Sequence, residues 1–466
     1  MAQNFLACER DQQYLMPPSL REWLPEGHLA WFVLDAVAEM DLSAFSARYR
    51  DDGWGRAAYA PAMMVALTLY SYCLGERSSR RIERRLGEDI AYRVIAANQS
   101  PDHTTIARFR QHNEGALAGL FTEILRLCAG AGMVKVGVVA IDGTKMAASA
   151  SLAANRTTDA IEAEVRRILA EAAETDAAED ALYGEGVRGD ELPPELADRR
   201  SRLARLKEAK RRLDAEDAAR RSAHDRRLVE REAIERESGK RLRGQKPKPP
   251  APKTDAKANT TDPDSRILKS PDRFLQGYNA QAAVSPDQII LAAELTQQAN
   301  DVAQLHPMIA ATEQGLHAAG VGEPIGAIVA DAGYYSEANL AEADPEGPEL
   351  VIATTKSWRQ RQAAREQPPP RGRIPAGMPP RERMERKLRT KRGQALYRMR
   401  GQTVEPVFGQ IKDPRAIRRF MRRGLGACQS EWRLIAATHN LLKLFRHTGA
   451  PPSRGPTAPR MALSRA

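Results

Sequence analysis

Cysteine is scarce in this chain of 466 residues: there are four, Cys8, Cys73, Cys128 and Cys428, with no close pair. That spacing excludes a disulfide framework or a cysteine zinc cluster and points to reduced thiols of the cytosol. Eight histidines are scattered without a cluster, so no histidine-based metal or general-base site suggests itself. No run of about 18 apolar residues exists, and the start MAQNFLACERDQQYL has no basic-then-apolar leader pattern. No membrane span or Sec-type export is expected, and the predicted location is the cytoplasm. Aromatics make up only 5% of residues, and none occurs between Tyr183 and Phe274. A segment so poor in large apolar side chains and so dense in charge is expected to form one or two long solvated helices with little core of their own.

Positive charge is abundant, and it is concentrated. From Arg381 to Arg423 there are 15 Lys and Arg against four acids, a surplus equal to the whole chain's net charge of +11. A solvated basic helix or a surface for a polyanion, nucleic acid above all, both fit that segment. Tyr397, Phe408, Ile411 and Phe420 are spaced so that they can be buried, so the segment is expected to fold.

The first 130 residues read as helical. Pro61 opens an apolar helix, and Ile82, Leu86, Ile90 and Val94 recur every four residues in one amphipathic helix from Ser78 to Ala97. Asp102 can cap a short helix carrying Arg108 and Arg110, an arrangement that resembles a helix-turn-helix, although two-helix corners are as often only packing. Val134 to Ile141 is a buried strand ending at Asp142. After the charged stretch and its linker GQKPKPPAPKT, strand signals resume at Tyr278–Val284 and Ile289–Leu295, joined by a four-residue turn. A helix, a strand ending at Asp331, a helix from Ser336 and a strand at Glu349–Thr355 follow. That order predicts an α/β fold with a ribonuclease-H-like mixed five-stranded sheet flanked by helices.

Domain boundaries follow: a helical N-terminal DNA-binding domain over 1–130, a catalytic domain over 131–154 and 268–447, a charged helical insertion over 155–267, and a disordered tail over 448–466. Sites in open α/β sheets collect at the carboxyl ends of strands, which would bring Asp142 and Asp331 together. Two adjacent carboxylates call for a cation, and oxygen-only ligands favour Mg²⁺ or Mn²⁺; turns that merely close strands are the plainer reading of each aspartate alone. Glu405 is a third acid, one of only four in the basic segment. Thr403 is expected to cap a helix there with Pro406 in its first turn, placing Glu405 at the helix N-terminus and Lys412 on the same face.

VVAIDGTK, GYNAQAAV, IVADAGYYS and YRMRGQTVEPVFGQIK, in this order, resemble the DDE transposases of bacterial insertion sequences. The nearest subgroup carries its glutamate in a Tyr-Arg-Glu-Lys signature. YAPAMM, GERSSRRIE and PDHTTIARFR resemble the helical domain that precedes the catalytic core there. The resemblance implies a catalytic, metal-holding triad of Asp142, Asp331 and Glu405, whose carboxyl groups should converge within metal-bridging reach. Two Mg²⁺ (or Mn²⁺) ions about 4 Å apart would then serve both strand cleavage and strand transfer. It also implies DNA contacts from Tyr397, Arg400 and Lys412, with Arg108 and Arg110 in the N-terminal domain. Four residues separate Arg400 from Glu405 where the usual signature has three, so Arg398 is the alternative for the signature arginine. The implied partners are double-stranded DNA, as terminal inverted repeats and target, and a second protomer in the DNA complex, near the nucleoid. Two other readings stay open on the sequence: a non-catalytic DNA-binding relic or regulator, and a ribonuclease-H-like nuclease without joining activity.

Overall fold

Proline at a first helical turn and capping side chains place the helices where the apolar periodicity puts them. The computed structural model describes residues 19–183, apart from 48 and 50–57, and 202–448, apart from 243, 251–255, 271, 272, 369, 371, 373, 374 and 376. Cys8, Trp54, residues 184–201 of the insertion, part of the proline-rich linker and the tail from 449 lie outside the described residues.

The N-terminal helices are α1 (Leu29–Ala38), α2 (Ser43–Ser46), α3 (Pro61–Cys73), α4 (Ser79–Glu88), α5 (Ile90–Ile95), α6 (His103–His112) and α7 (Glu114–Gly130). The single helix expected from Ser78 to Ala97 is two. Asp89 takes an extended backbone and its carboxylate accepts from Ala91 N at 2.9 Å, which ends α4 and caps α5. Asp102 caps α6 as expected, accepting from Thr105 N at 2.6 Å.

Strand β1 (Val139–Ala147) starts later than expected and runs on through Asp142. Next come β2 (Asn155–Thr157), α8 (Thr158–Tyr183), α9 (Arg202–Ser238), β3 (Lys257–Asn259), β4 (Arg266–Lys269), β5 (Phe274–Val284) and β6 (Ile290–Thr296). Then α10 (Leu305–Ala318), β7 (Ala327–Ala330), α11 (Glu337–Ala341), β8 (Glu349–Ile352) and α12 (Trp358–Glu366) alternate. Three helices, α13 (Pro380–Arg389), α14 (Lys391–Lys412) and α15 (Leu425–Thr448), complete the described chain.

The fold is mixed α/β. Its main sheet has six strands where five were expected, the addition being β4. The order is β4-β5-β1-β7-β8, with β6 also on β5. Strands β6, β5 and β1 pair antiparallel, and β1, β7 and β8 pair parallel. One continuous core runs from Ala30 in α1 to Leu444 in α15, so the N-terminal helices share it with the sheet. Buried polar groups tie the two: Arg415 donates to Tyr72 O at 2.9 Å, and Arg77 pairs with buried Glu431 at 2.9 Å.

Helices α8 and α9 form a hairpin with a small core of its own around Ile161, Ile168, Leu206 and Leu213, more than the composition suggested. Antiparallel β2 and β3 close its base, with Thr157 opposite Lys257. Asn259, Asp262 and Ser265, which the sequence reading put inside the insertion, are buried beside the main sheet, and Tyr278 Oη donates to Asp262 at 2.8 Å.

Candidate active site

Strand β1 pairs with β7 only as far as Ile141, opposite Ala330, and with β5 as far as Ala147. Asp142 and Asp331 are the next residues on the two parallel neighbours. Both therefore stand where the parallel ladder stops and the backbone opens, the position at which α/β sheets collect ligands. Asp142 Oδ1 accepts from Gly143 N at 2.8 Å, and Asp331 Oδ1 from Gly333 N at 2.7 Å. Burial pushes the Asp142 carboxyl up to about 6; Arg400 opposes the rise and Asp331 adds to it.

Helix α14 is laid beside this point. It is continuous over 22 residues from its cap Thr390, so Glu405 is mid-helix and not at an N-terminus. Thr403 bonds back to Met399 O at 2.9 Å and caps nothing. Pro406 lies inside the helix, where its missing N–H would orphan Gln402 O; Gln288 Nε2, from the β5–β6 turn, donates to that carbonyl at 3.1 Å. A distant side chain thus keeps the helix running through a proline.

Arg400 bridges two of the expected triad. Its guanidinium reaches Asp142 Oδ2 at 2.6 Å and Glu405 Oε1 at 2.9 Å. Arg398 is exposed, so Arg400 faces the acids despite the longer spacing to Glu405. Arg400 thus stands between two of the three expected carboxylates and supplies the counter-charge that the shielded Asp142 needs. Among the described residues, no group of three or more His, Cys, Asp or Glu is arranged to hold a metal ion. Asp142 and Asp331 themselves offer oxygen ligands, the kind a hard divalent cation takes, and burial first and Asp331 after it raise the Asp142 carboxyl.

The other expected residues divide. Lys412 is docked on β1, donating to Thr144 Oγ1 and to Lys145 O at 3.3 Å. Tyr397 lines a cavity of about 360 Å³ beyond the end of β8, with Arg381, Arg389 and Gln394. Arg108 is exposed on a second cavity of about 560 Å³ with Tyr59 and His112. Arg110 is engaged in packing: it donates to Arg77 O at 2.7 Å and to Ser79 Oγ, fastening α6 to the start of α4.

Sequence reasoning missed Asp301, Lys145, Gln281 and Tyr334. Asp301 follows β6, and its carboxylate accepts from Asn279 Nδ2 at 2.6 Å and Gln281 Nε2 at 2.8 Å. Lys145 stands 3.8 Å from it, and buried Tyr334 donates to Gln281 Oε1. An aspartate ahead of a helix reads as a cap, so the chain offered no separate signal for Asp301.

Residues 18–112 match a family described as a transposase domain (DUF772), and residues 376–445 match one described as a transposase DDE domain. Both are transposase domains. The second range contains Arg400, Glu405 and Lys412; Asp142 and Asp331 lie outside both. No curated protein and no solved structure matches the chain significantly. The two matches support a DDE transposase and, through it, DNA as substrate. No helix among the described residues is long and apolar enough to cross a membrane.

Proposed function

We propose that the chain is a transposase of an insertion sequence that binds the element's ends and performs metal-dependent strand cleavage and strand transfer. One observation carries the reading: Asp142 and Asp331 end the paired stretch of adjacent parallel strands, and α14 brings Arg400 and Glu405 to the same point. The run of three antiparallel strands followed by two parallel ones agrees with a ribonuclease-H-like core.

Asp142, Asp331 and Glu405 are the proposed metal-holding acids. Bound there, Mg²⁺ or Mn²⁺ would supply Lewis-acid activation of the attacking oxygen and stabilisation of the leaving one. The chain's own part is to orient and neutralise. Asp142 is pinned by Gly143 N, and Arg400, held within reach of both acids, can neutralise a phosphate brought beside them. Lys412 holds α14 against β1, keeping Glu405 over the strand end. The basic segment from Arg381 to Arg423 would follow the backbone of duplex DNA, reading little sequence, while two protomers would hold the two ends.

The test uses full-length protein, labelled duplexes with the inverted repeats flanking the gene, and Mg²⁺. Wild type should cleave and join. Asp142→Asn, Asp331→Asn and Glu405→Gln should each abolish both reactions, with non-additive effects, while DNA binding persists. Cleavage without joined product would reduce the chain to a nuclease, and binding alone to a regulator.

A further inference from the structure

Gly143 and Gly333 pack directly against the acids of the site, where no side chain would fit. A Cβ on Gly333 would lie 2.8 Å from Asp331 Oδ1 and 3.2 Å from Asp301 Oδ2, so these two carboxylates lie close together against one glycine. A Cβ on Gly143 would overlap Gln281 Nε2 and lie 2.7 Å from Asp301 Oδ1 and 3.0 Å from Asn279 Oδ1. Asn279 is fully buried, and its Oδ1 accepts no hydrogen bond although its Nδ2 donates to Asp301. An orphaned buried acceptor beside two carboxylates is costly unless a cation takes it up.

Charge points the same way. Four acids, Asp142, Asp301, Asp331 and Glu405, stand around two internal cations, Arg400 and Lys145. Asp331 has no ion-pair partner among the described residues, and Lys145 remains 3.8 Å from Asp301. Exposed Lys356 also acts on Lys145, and the cluster still carries a net negative charge that a bound cation would offset.

We propose that Asp301 is a fourth acid of this site, which with Asp331 and the carbonyl oxygen of Asn279 holds a divalent cation of the Mg²⁺ or Mn²⁺ class. The proposal rests on the metal-dependent reading above and adds to it a ligand from the segment that follows β6. Lys145 is the group that stands in for the ion, and ion binding displaces it towards substrate phosphate.

The plain alternative is that Asp301 only accepts hydrogen bonds from Asn279 and Gln281. Asp301→Asn separates the two, because an amide oxygen still accepts those bonds but ligates a hard cation poorly. Mn²⁺ binding to the full chain without DNA, followed by calorimetry and by the spin-resonance signal of free Mn²⁺, is the measurement. Asp301→Asn should weaken Mn²⁺ binding about tenfold or more with an unchanged melting temperature. Lys145→Met should tighten it several-fold, since a competitor for Asp301 is gone. Wild-type affinity in both variants, with Asp331→Asn impaired, would overturn the role of Asp301 and leave the triad standing. Absence of Mn²⁺ binding by the wild type would overturn the metal reading itself.

Discussion

Arg400 makes two ion pairs of unequal weight. Its pair with Asp142 is largely shielded, each side chain being 14% exposed, whereas Glu405 is 57% exposed and gains little from the contact. Removing Arg400 therefore releases chiefly Asp142, the carboxyl already raised by burial and by neighbouring acids. In Arg400→Gln, Mn²⁺ binding should tighten because a tethered competitor is lost. DNA binding should weaken, with the salt dependence falling by about one counterion. Opposite movements of the two affinities, measured on one preparation, would mark Arg400 as a cation shared between acids and DNA. Parallel losses would mark it as a structural strut.

At the scale of elements, the β5–β6 turn serves as a clasp. Gln288 sits at φ 63° in that turn, donates to Gln402 O of α14, and through its own carbonyl accepts from His439 Nε2 of α15 at 3.0 Å. His439 is buried, and desolvation pushes its imidazole from 6.5 down to about 3. Between those values the unfolded chain carries the extra proton. The stability contributed by neutral His439 is therefore complete above about pH 6.5 and lost as pH falls towards 3, with a slope approaching 1.4 kcal/mol per pH unit. Urea melts of wild type and His439→Gln from pH 7 to pH 5 should converge as the pH falls. Taking the difference isolates this group from Asp142, whose raised carboxyl acts in the opposite sense. A constant gap between the two curves would contradict the assignment.

The described residues form one core with one appendage. Cys128 and Ser430 join α7 to α15, through Asn440 O at 3.8 Å and Glu114 O at 2.7 Å, so the N-terminal helices are not a detachable module. The α8–α9 hairpin differs, since it carries its own small core and is closed by β2 and β3. Thr157 and Lys257 face each other in that ladder, so an Asn-Gly turn can replace residues 158–256 without moving either strand. The shortened chain should unfold in one cooperative transition near the wild-type temperature and still bind Mn²⁺. A cut extended past Asn259 should unfold the core, because Asp262, buried under Tyr278, would go with it. Loss of folding in the first deletion would place the hairpin within the core after all.

Local chemistry alone determined much of this protein. Apolar spacing marks α3, Asp102 caps α6, alternation and a four-residue turn mark β5 and β6, and missing aromatics mark the hairpin, because each depends on residues within one turn or one strand. The aspartates at 142 and 331 were legible for the same reason, as acids closing apolar runs. Only the tertiary structure decided the rest. Pro406 reads as a helix start until Gln288, over a hundred residues away, supplies the donor that lets α14 continue. Arg400 was separated from Arg398 by the way α14 lies on β1, and Asp301 became part of the acidic cluster because Asn279 and Gln281 of β5 hold its carboxylate there. Buried charge and orphaned backbone groups are settled by whichever partner the fold delivers, and no window along the chain contains that partner.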